Sequence, residues 1–194
     1  CRRQRQMCIR DSFYLGMTIV IALIVYYYYF SFRKKKIPRT NSLYTDALNA
    51  MVNGDLSNAI ALLKQVVKQD SNHVRAYLQL GNIIRKENPE QALKIHQSLT
   101  VRPNLSRDIQ VDIHTALAED YGFLSNYKKA IEEAKLVLAI EKRNLWALNF
   151  LNNISVENQD WEEAIRWTKQ LQKVTGKTTS DDEAKFDVFK GLDY

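Results

Sequence analysis

The chain has 194 residues, room for one domain or a short array of repeats. Six Gly and three Pro are under half the usual share of about 12%, too few turn formers for an all-β sandwich. With 26% charged and 45% apolar residues the chain is not disordered throughout, and two cysteines, Cys1 and Cys8, exclude a disulfide scaffold or a four-ligand zinc site.

The net charge of +6 is unevenly spread. Residues 1–12 carry Arg2, Arg3, Arg5 and Arg10 against Asp11. Residues 33–39 carry Arg33, Lys34, Lys35, Lys36 and Arg39, while residues 40–194 hold 19 basic and 21 acidic side chains. The body is therefore mildly acidic, whereas a nucleic-acid binder carries its basic charge on the folded domain. No nucleic-acid partner is expected.

In chain order, residues 1–12 come first. The string CRRQRQMCIRDS resembles translated sequencing-adapter sequence and is expected to be non-native or disordered. Residues 13–32, FYLGMTIVIALIVYYYYFSF, contain no charge. As a helix, 20 residues span about 30 Å, the thickness of the hydrocarbon core of a bilayer. A secretory signal has a shorter apolar region and a small-residue cleavage site; here Arg33-Lys34-Lys35-Lys36 follows directly, as a stop-transfer flank would. The expectation is a single transmembrane helix over 13–32 and a basic juxtamembrane linker over 33–42. Basic flanks face the cytoplasm, and Tyr26 to Tyr29 suit an interfacial aromatic belt. If the first twelve residues are discounted, the only basic flank lies on the C-terminal side, so the rest of the chain faces the cytoplasm. A genuine basic N-terminus would leave the topology open.

Residues 43–175 show an internal period. Four segments align, SNAIALLKQVVKQDS, PEQALKIHQSLTVRP, YKKAIEEAKLVLAIEK and WEEAIRWTKQLQKVT, each with an Ala before an apolar residue: Ala59, Ala92, Ala130 and Ala164. Their spacings are 33, 38 and 34. Upstream, a small residue is expected where the first helix of a pair meets the second. Ala47, Gly81 and Ala118 fill that place, and Asn152 is a weaker match. Three residues on, Ala50, Ile84 and Tyr121 continue the apolar face and Ser155 does not. Gly54-Asp55, Asn88-Pro89, Ser125-Asn126 and Gln159-Asp160 carry turn chemistry, and Pro89 suits the first turn of a helix.

These four units in register resemble the tetratricopeptide repeat family, whose period is 34. The resemblance implies an all-α fold, a right-handed superhelix of four helix pairs over 43–175. Residues 176–194 would begin a further helical element, truncated, and a fragment at both ends is expected. The spacing of 38 places an insertion over 101–108, where Pro103 ends one helix and Ser106 caps the next, with Ile109 opening its apolar run. Such stacks present a groove lined by the first helix of each pair. By position in the repeat, Arg75, Leu78, Asn82, Arg85 and Lys86 should face it from the second repeat. Asp112, Thr115 and Glu119 follow from the third, and Trp146, Asn149 and Asn153 from the fourth.

Catalytic chemistry is not expected. There is no glycine cluster for a phosphate. His96 occupies a packing position of the repeat, and His73 and His114 are read as lying near helix starts with no cysteine nearby. Glu132-Glu133 and Glu162-Glu163 read as solvated faces, and Trp161 and Trp167 as packing residues.

A closer resemblance runs through LGNIIRKENPEQALKIHQSLTVRPNL. It is similar to the second repeat region of the lipopolysaccharide assembly protein B family, carried by Ile95, His96, Gln97, Leu99, Arg102, Pro103 and Leu105. ALAEDYGFLSNYKKA resembles the next helix and turn of that family, and the order of span, basic linker and repeats agrees over residues 13–175. The resemblance implies a bacterial inner-membrane adaptor with cytoplasmic repeats. Such an adaptor regulates lipopolysaccharide synthesis by bringing the lipid A pathway deacetylase to a membrane-bound ATP-dependent protease. The family also carries a C-terminal rubredoxin-like metal module. No cysteine follows Cys8, so no metal residue is carried over and no cofactor is expected in this chain. Two other readings stay open: a generic scaffold for assembly of another envelope or membrane complex, and a module facing the periplasm.

Overall fold

The computed structural model describes residues 17–27, 39–176, 188 and 191. The chain divides into two compact units, Cys1–Ser42 and Leu43–Tyr194.

In the first unit, residues 17–27 form a helix, α1. It is apolar on all sides, and none of its large side chains is covered: even Met17, the least exposed, is 48% accessible. Among the described residues no helix is long and apolar enough to cross a membrane. Helix α1 covers the middle of the expected span; residues 13–16 and 28–32 lie outside the described residues. So do residues 1–12, most of the 33–42 linker and nearly all of the expected element over 176–194.

The second unit is a run of antiparallel-paired helices. Its elements are α2 (Arg39–Val52, belonging to this unit from Leu43 on), α3 (Leu56–Gln69), α4 (Val74–Ile84), α5 (Pro89–Thr100), α6 (Arg107–Phe123), α7 (Tyr127–Ile140), α8 (Leu145–Glu157) and α9 (Trp161–Thr175). From α3 on, each packs on its neighbour in sequence, and α4 also packs on α6, so the first helices of the second and third pairs meet.

Local chemistry starts and stops these helices at the same places in each pair. Asp55, Asn88, Asn126 and Asp160 are the N-caps of α3, α5, α7 and α9, each accepting from the backbone N–H three residues on. Such a cap contributes about 1 kcal/mol. In three of the pairs the same residue also closes the preceding helix. Asp55, Asn126 and Asp160 donate N–H to the carbonyls of Ala50, Tyr121 and Ser155, five residues back. The residue before each, Gly54, Ser125 or Gln159, has φ between 55° and 78°. This is a Schellman ending fused to an N-cap. Only the first pair uses glycine for the left-handed position.

Each aligned alanine, Ala59, Ala92, Ala130 and Ala164, is the fourth residue of its helix and is at most 1% exposed. The small-residue places face the eighth residue of the second helix in every pair. Ala47 and Leu63 share one apolar cluster, Ala118 and Ala134 another. Gly81 lies directly against the His96 imidazole, where a Cβ would stand 2.3 Å from Nε2. In the last pair the weaker match is explained. Asn152 accepts a 2.9 Å hydrogen bond from Thr168, so a polar contact replaces close packing.

The 101–108 insertion is accommodated as expected. Helix α5 ends at Thr100, Asn104 adopts φ 58°, and Ser106 caps α6. Two readings need correction. His114 lies in the middle of α6, not near its start, and it pairs with Glu133 at 2.7 Å. Glu133 is therefore a half-buried partner that ties α7 to α6, rather than part of a solvated face.

Candidate functional site

The first helices of the pairs frame two cavities that meet at Glu119. The smaller, about 210 Å³, lies between α4 and α6 and is walled by Leu78, Gln79, Asn82, Asp112, Thr115 and Glu119. The larger, about 670 Å³, is walled by Arg85, Glu119, Phe123, Tyr127, Phe150, Asn153 and Glu157, among others. Its volume is in the range of ligand pockets, about 300–1,000 Å³.

A buried ionic network holds this face together. Asp120, on α6, is fully buried, as is His96 on α5; Arg85, which follows α4, is 8% exposed. Asp120 accepts from Arg85 Nε at 2.5 Å with one oxygen and from His96 Nδ1 at 2.5 Å with the other. The other ring nitrogen, Nε2, faces the Leu78 carbonyl at 3.3 Å. Three further N–H groups of Arg85 go to Glu119, to Asn82 Oδ1 at 2.8 Å and to the Ala116 carbonyl at 3.2 Å. One guanidinium thus ties the end of α4 to three residues of α6, Ala116, Glu119 and Asp120, and Asp120 brings in α5. A guanidinium with four of its five N–H groups committed and two carboxylates beside it is a poor receptor for an anion.

Electrostatics elsewhere on the face are set by partial burial. Burial pushes the Asp112 carboxyl above its ordinary 3.8; Arg75 opposes the shift, and Asp108 and Glu141 add to it. Burial likewise raises the Tyr44 phenol, with Arg75 lowering it and Asp112 raising it.

Of the eleven residues read from the repeat positions, Leu78, Asn82, Asp112, Thr115 and Glu119 come together at the smaller cavity, and Arg85, Glu119 and Asn153 at the larger. Leu78 is 4% exposed and belongs mainly to the core with Leu99 and Ile113. Arg85 is spent on the network. Trp146 is stacked on Phe150 with centroids 4.8 Å apart, and Asn149 donates to the Leu145 carbonyl at 2.9 Å. Arg75 and Lys86 are exposed and line neither cavity. Phe123, Phe150 and Glu157 were not anticipated. A signal existed: each lies four residues after a residue assigned to the face (Glu119, Trp146 and Asn153), on the same helical stripe.

A third cavity, about 310 Å³, lies beside the insertion. Its one arginine, Arg102, is held over the Tyr77 ring at 4.6 Å and donates to the Ser71 carbonyl at 2.7 Å.

No family model matches the chain. Lipopolysaccharide assembly protein B of Escherichia coli strain K12 is 25% identical over 168 residues, covering 84% of this chain and 43% of the relative, and the protein of the same name from strain O157:H7 gives the same figures. The chain therefore spans less than half the length of the curated relatives it matches. Among solved structures, a tetratricopeptide repeat protein from Parabacteroides merdae superposes with TM-score 0.65 at 19% identity, covering 79% of this chain and 60% of that one. MamA from Desulfovibrio magneticus gives TM-score 0.63 at 17% identity over 73% of this chain and 78% of that one. The repeat unit has the all-helical tetratricopeptide fold, and the chain is similar in sequence to lipopolysaccharide assembly protein B.

Proposed function

We propose that the chain is a membrane-anchored, non-catalytic adaptor that regulates lipopolysaccharide synthesis by docking other proteins on the face of its first helices. The observation that carries the docking part of this reading is the pair of cavities sharing Glu119, walled chiefly by side chains of α4, α6 and α8; its lipopolysaccharide part is supported by sequence similarity to the relatives along 84% of the chain. A related fold offers support by its description alone: YrrB is described as a tetratricopeptide repeat protein with an unusual peptide-binding site.

In this reading residues 13–32 span the bacterial inner membrane, residues 33–42 form a basic linker, and the four repeats of 43–175 lie in the cytoplasm. Residues 1–12 play no part, and 176–194 lead into a further element. The partners are the deacetylase of the lipid A pathway and a membrane-bound ATP-dependent protease. The mechanism is effective concentration: tethering confines the docking face to the membrane surface, where the protease also sits, so the second encounter becomes intramolecular. The reading assigns the chain no catalytic group and no cofactor.

The test is turnover of the deacetylase in cells whose only copy of the adaptor lacks residues 13–32. The reading expects a folded helical domain that no longer accelerates degradation. Unchanged turnover refutes tethering, and cleavage of the repeats by protease added outside intact spheroplasts refutes the cytoplasmic location.

A further inference from the structure

The larger cavity combines apolar walls with a one-sided charge. Phe123, Tyr127, Phe150 and Ile154 supply its aromatic and aliphatic surface, and Phe123 is 56% exposed. Glu119 and Glu157 stand at its rim. The only basic residue of the wall is Arg85, whose guanidinium is already bound to Asp120 and Glu119. The wall thus carries one committed guanidinium and two carboxylates, Glu119 and Glu157. Glu119 gives Arg85 one oxygen, Oε2, and its other oxygen has no hydrogen bond among the described residues. Glu157 is exposed and has neither a hydrogen bond nor an ion pair among the described residues.

We propose that this cavity seats an arginine or lysine side chain flanked by an apolar residue, presented by a short extended segment of a partner polypeptide. The inference rests on reading the first-helix face as a protein-docking surface. Charge decides the sign of the occupant. An anionic group would meet Glu119 and Glu157 and find no free cation, whereas a guanidinium can pair with those carboxylates and stack on Phe123 or Phe150. The adjoining cavity indicates a chain rather than an isolated cation. It continues from Glu119 along α4 and α6, and Gln79, Asn82 and Thr115 offer side-chain donors and acceptors to an extended backbone. The apolar neighbour of the basic residue then covers the exposed Phe123 ring.

The experiment is selection of a displayed random heptapeptide library on the full 194-residue chain held in detergent, followed by titration of the recovered peptides. The expected result is enrichment of Arg or Lys next to an aromatic or aliphatic residue. Glu157→Arg and Phe123→Ser, both at exposed positions, should each weaken those peptides by roughly tenfold or more, with thermal melting unchanged. Enrichment of acidic or uncharged peptides overturns the proposal while leaving the docking face in place. Basic–apolar peptides that bind both variants as tightly as the parent chain overturn the assignment to this cavity. No enrichment on the parent chain overturns the docking reading itself.

Discussion

Replacing Asp120 by alanine should be the most damaging single change in the repeat unit that alters no apolar packing residue. The Asp120 side chain is fully buried and is the acceptor for both Arg85 Nε and His96 Nδ1 at 2.5 Å. Its removal leaves a guanidinium, in a residue 8% exposed, with Glu119 as its one remaining carboxylate. It also leaves a fully buried imidazole facing only the Leu78 carbonyl. Breaking one side of a buried ionic pair costs about 3–5 kcal/mol. For a unit of this size that corresponds to a fall of roughly 10–15 °C in Tm. Asp120→Asn keeps an oxygen for one of the two donors and should lose about half as much. Because each repeat contacts only its neighbours, hydrogen exchange should rise first in α4 to α6 and least in α9. Urea unfolding of the three proteins gives the magnitudes. The triple change Arg85→Met, His96→Leu, Asp120→Leu should return to within about 1–2 kcal/mol of the parent, since apolar replacement removes the desolvation cost with the pair. A loss below about 1 kcal/mol for Asp120→Ala would refute the assignment of the network as the tie between the second and third repeats.

Three further outcomes follow from the same geometry. Gly81→Ala would favour an isolated helix by about 1 kcal/mol, yet here the new Cβ would stand 2.3 Å from His96 Nε2. Thermal melts should therefore show a net loss of about 1–3 kcal/mol, and a gain in stability would refute the close packing of Gly81 on the His96 ring. Ser125→Gly should raise the urea midpoint by an amount equivalent to about 0.5–1 kcal/mol, because Ser125 has φ 55° and glycine adopts that region without strain; a lowered midpoint would mean the serine side chain contributes more than its backbone costs. For Asp112, burial raises the folded carboxyl above 3.8, so the folded chain binds the proton more tightly than the unfolded one. This group's contribution to stability therefore falls as pH rises from 3.8 through the raised value and stays lowered above it. Asp112→Asn should remove that segment of the stability–pH curve and stabilise the protein at neutral pH; a curve that keeps its slope refutes the assignment to Asp112.

What the residues determine locally is the repeat. Asp55, Asn88, Asn126 and Asp160 each satisfy an orphan N–H three residues on, and each is followed at a fixed distance by an alanine buried at a helix crossing. Those signals act over one or two turns, so spacing along the chain exposes them, and the helix pairing and the 101–108 insertion follow. Position in the repeat likewise brings Asn82, Asp112, Thr115 and Glu119 to one face. Only the tertiary structure decides which of these groups are free. Arg85 reads as a groove cation, yet Asp120, 35 residues later, binds its Nε, and Glu119 and Asn82 share its other nitrogens. His96 reads as packing and is also a hydrogen-bond partner of Asp120, because Gly81 leaves space for its ring beside the helix. Phe123, Phe150 and Glu157 gather around one cavity only when α6 and α8 are laid side by side. Charge pairing and cavity shape depend on contacts across about 30 residues of chain, and no local pattern encodes which partner will claim a given donor.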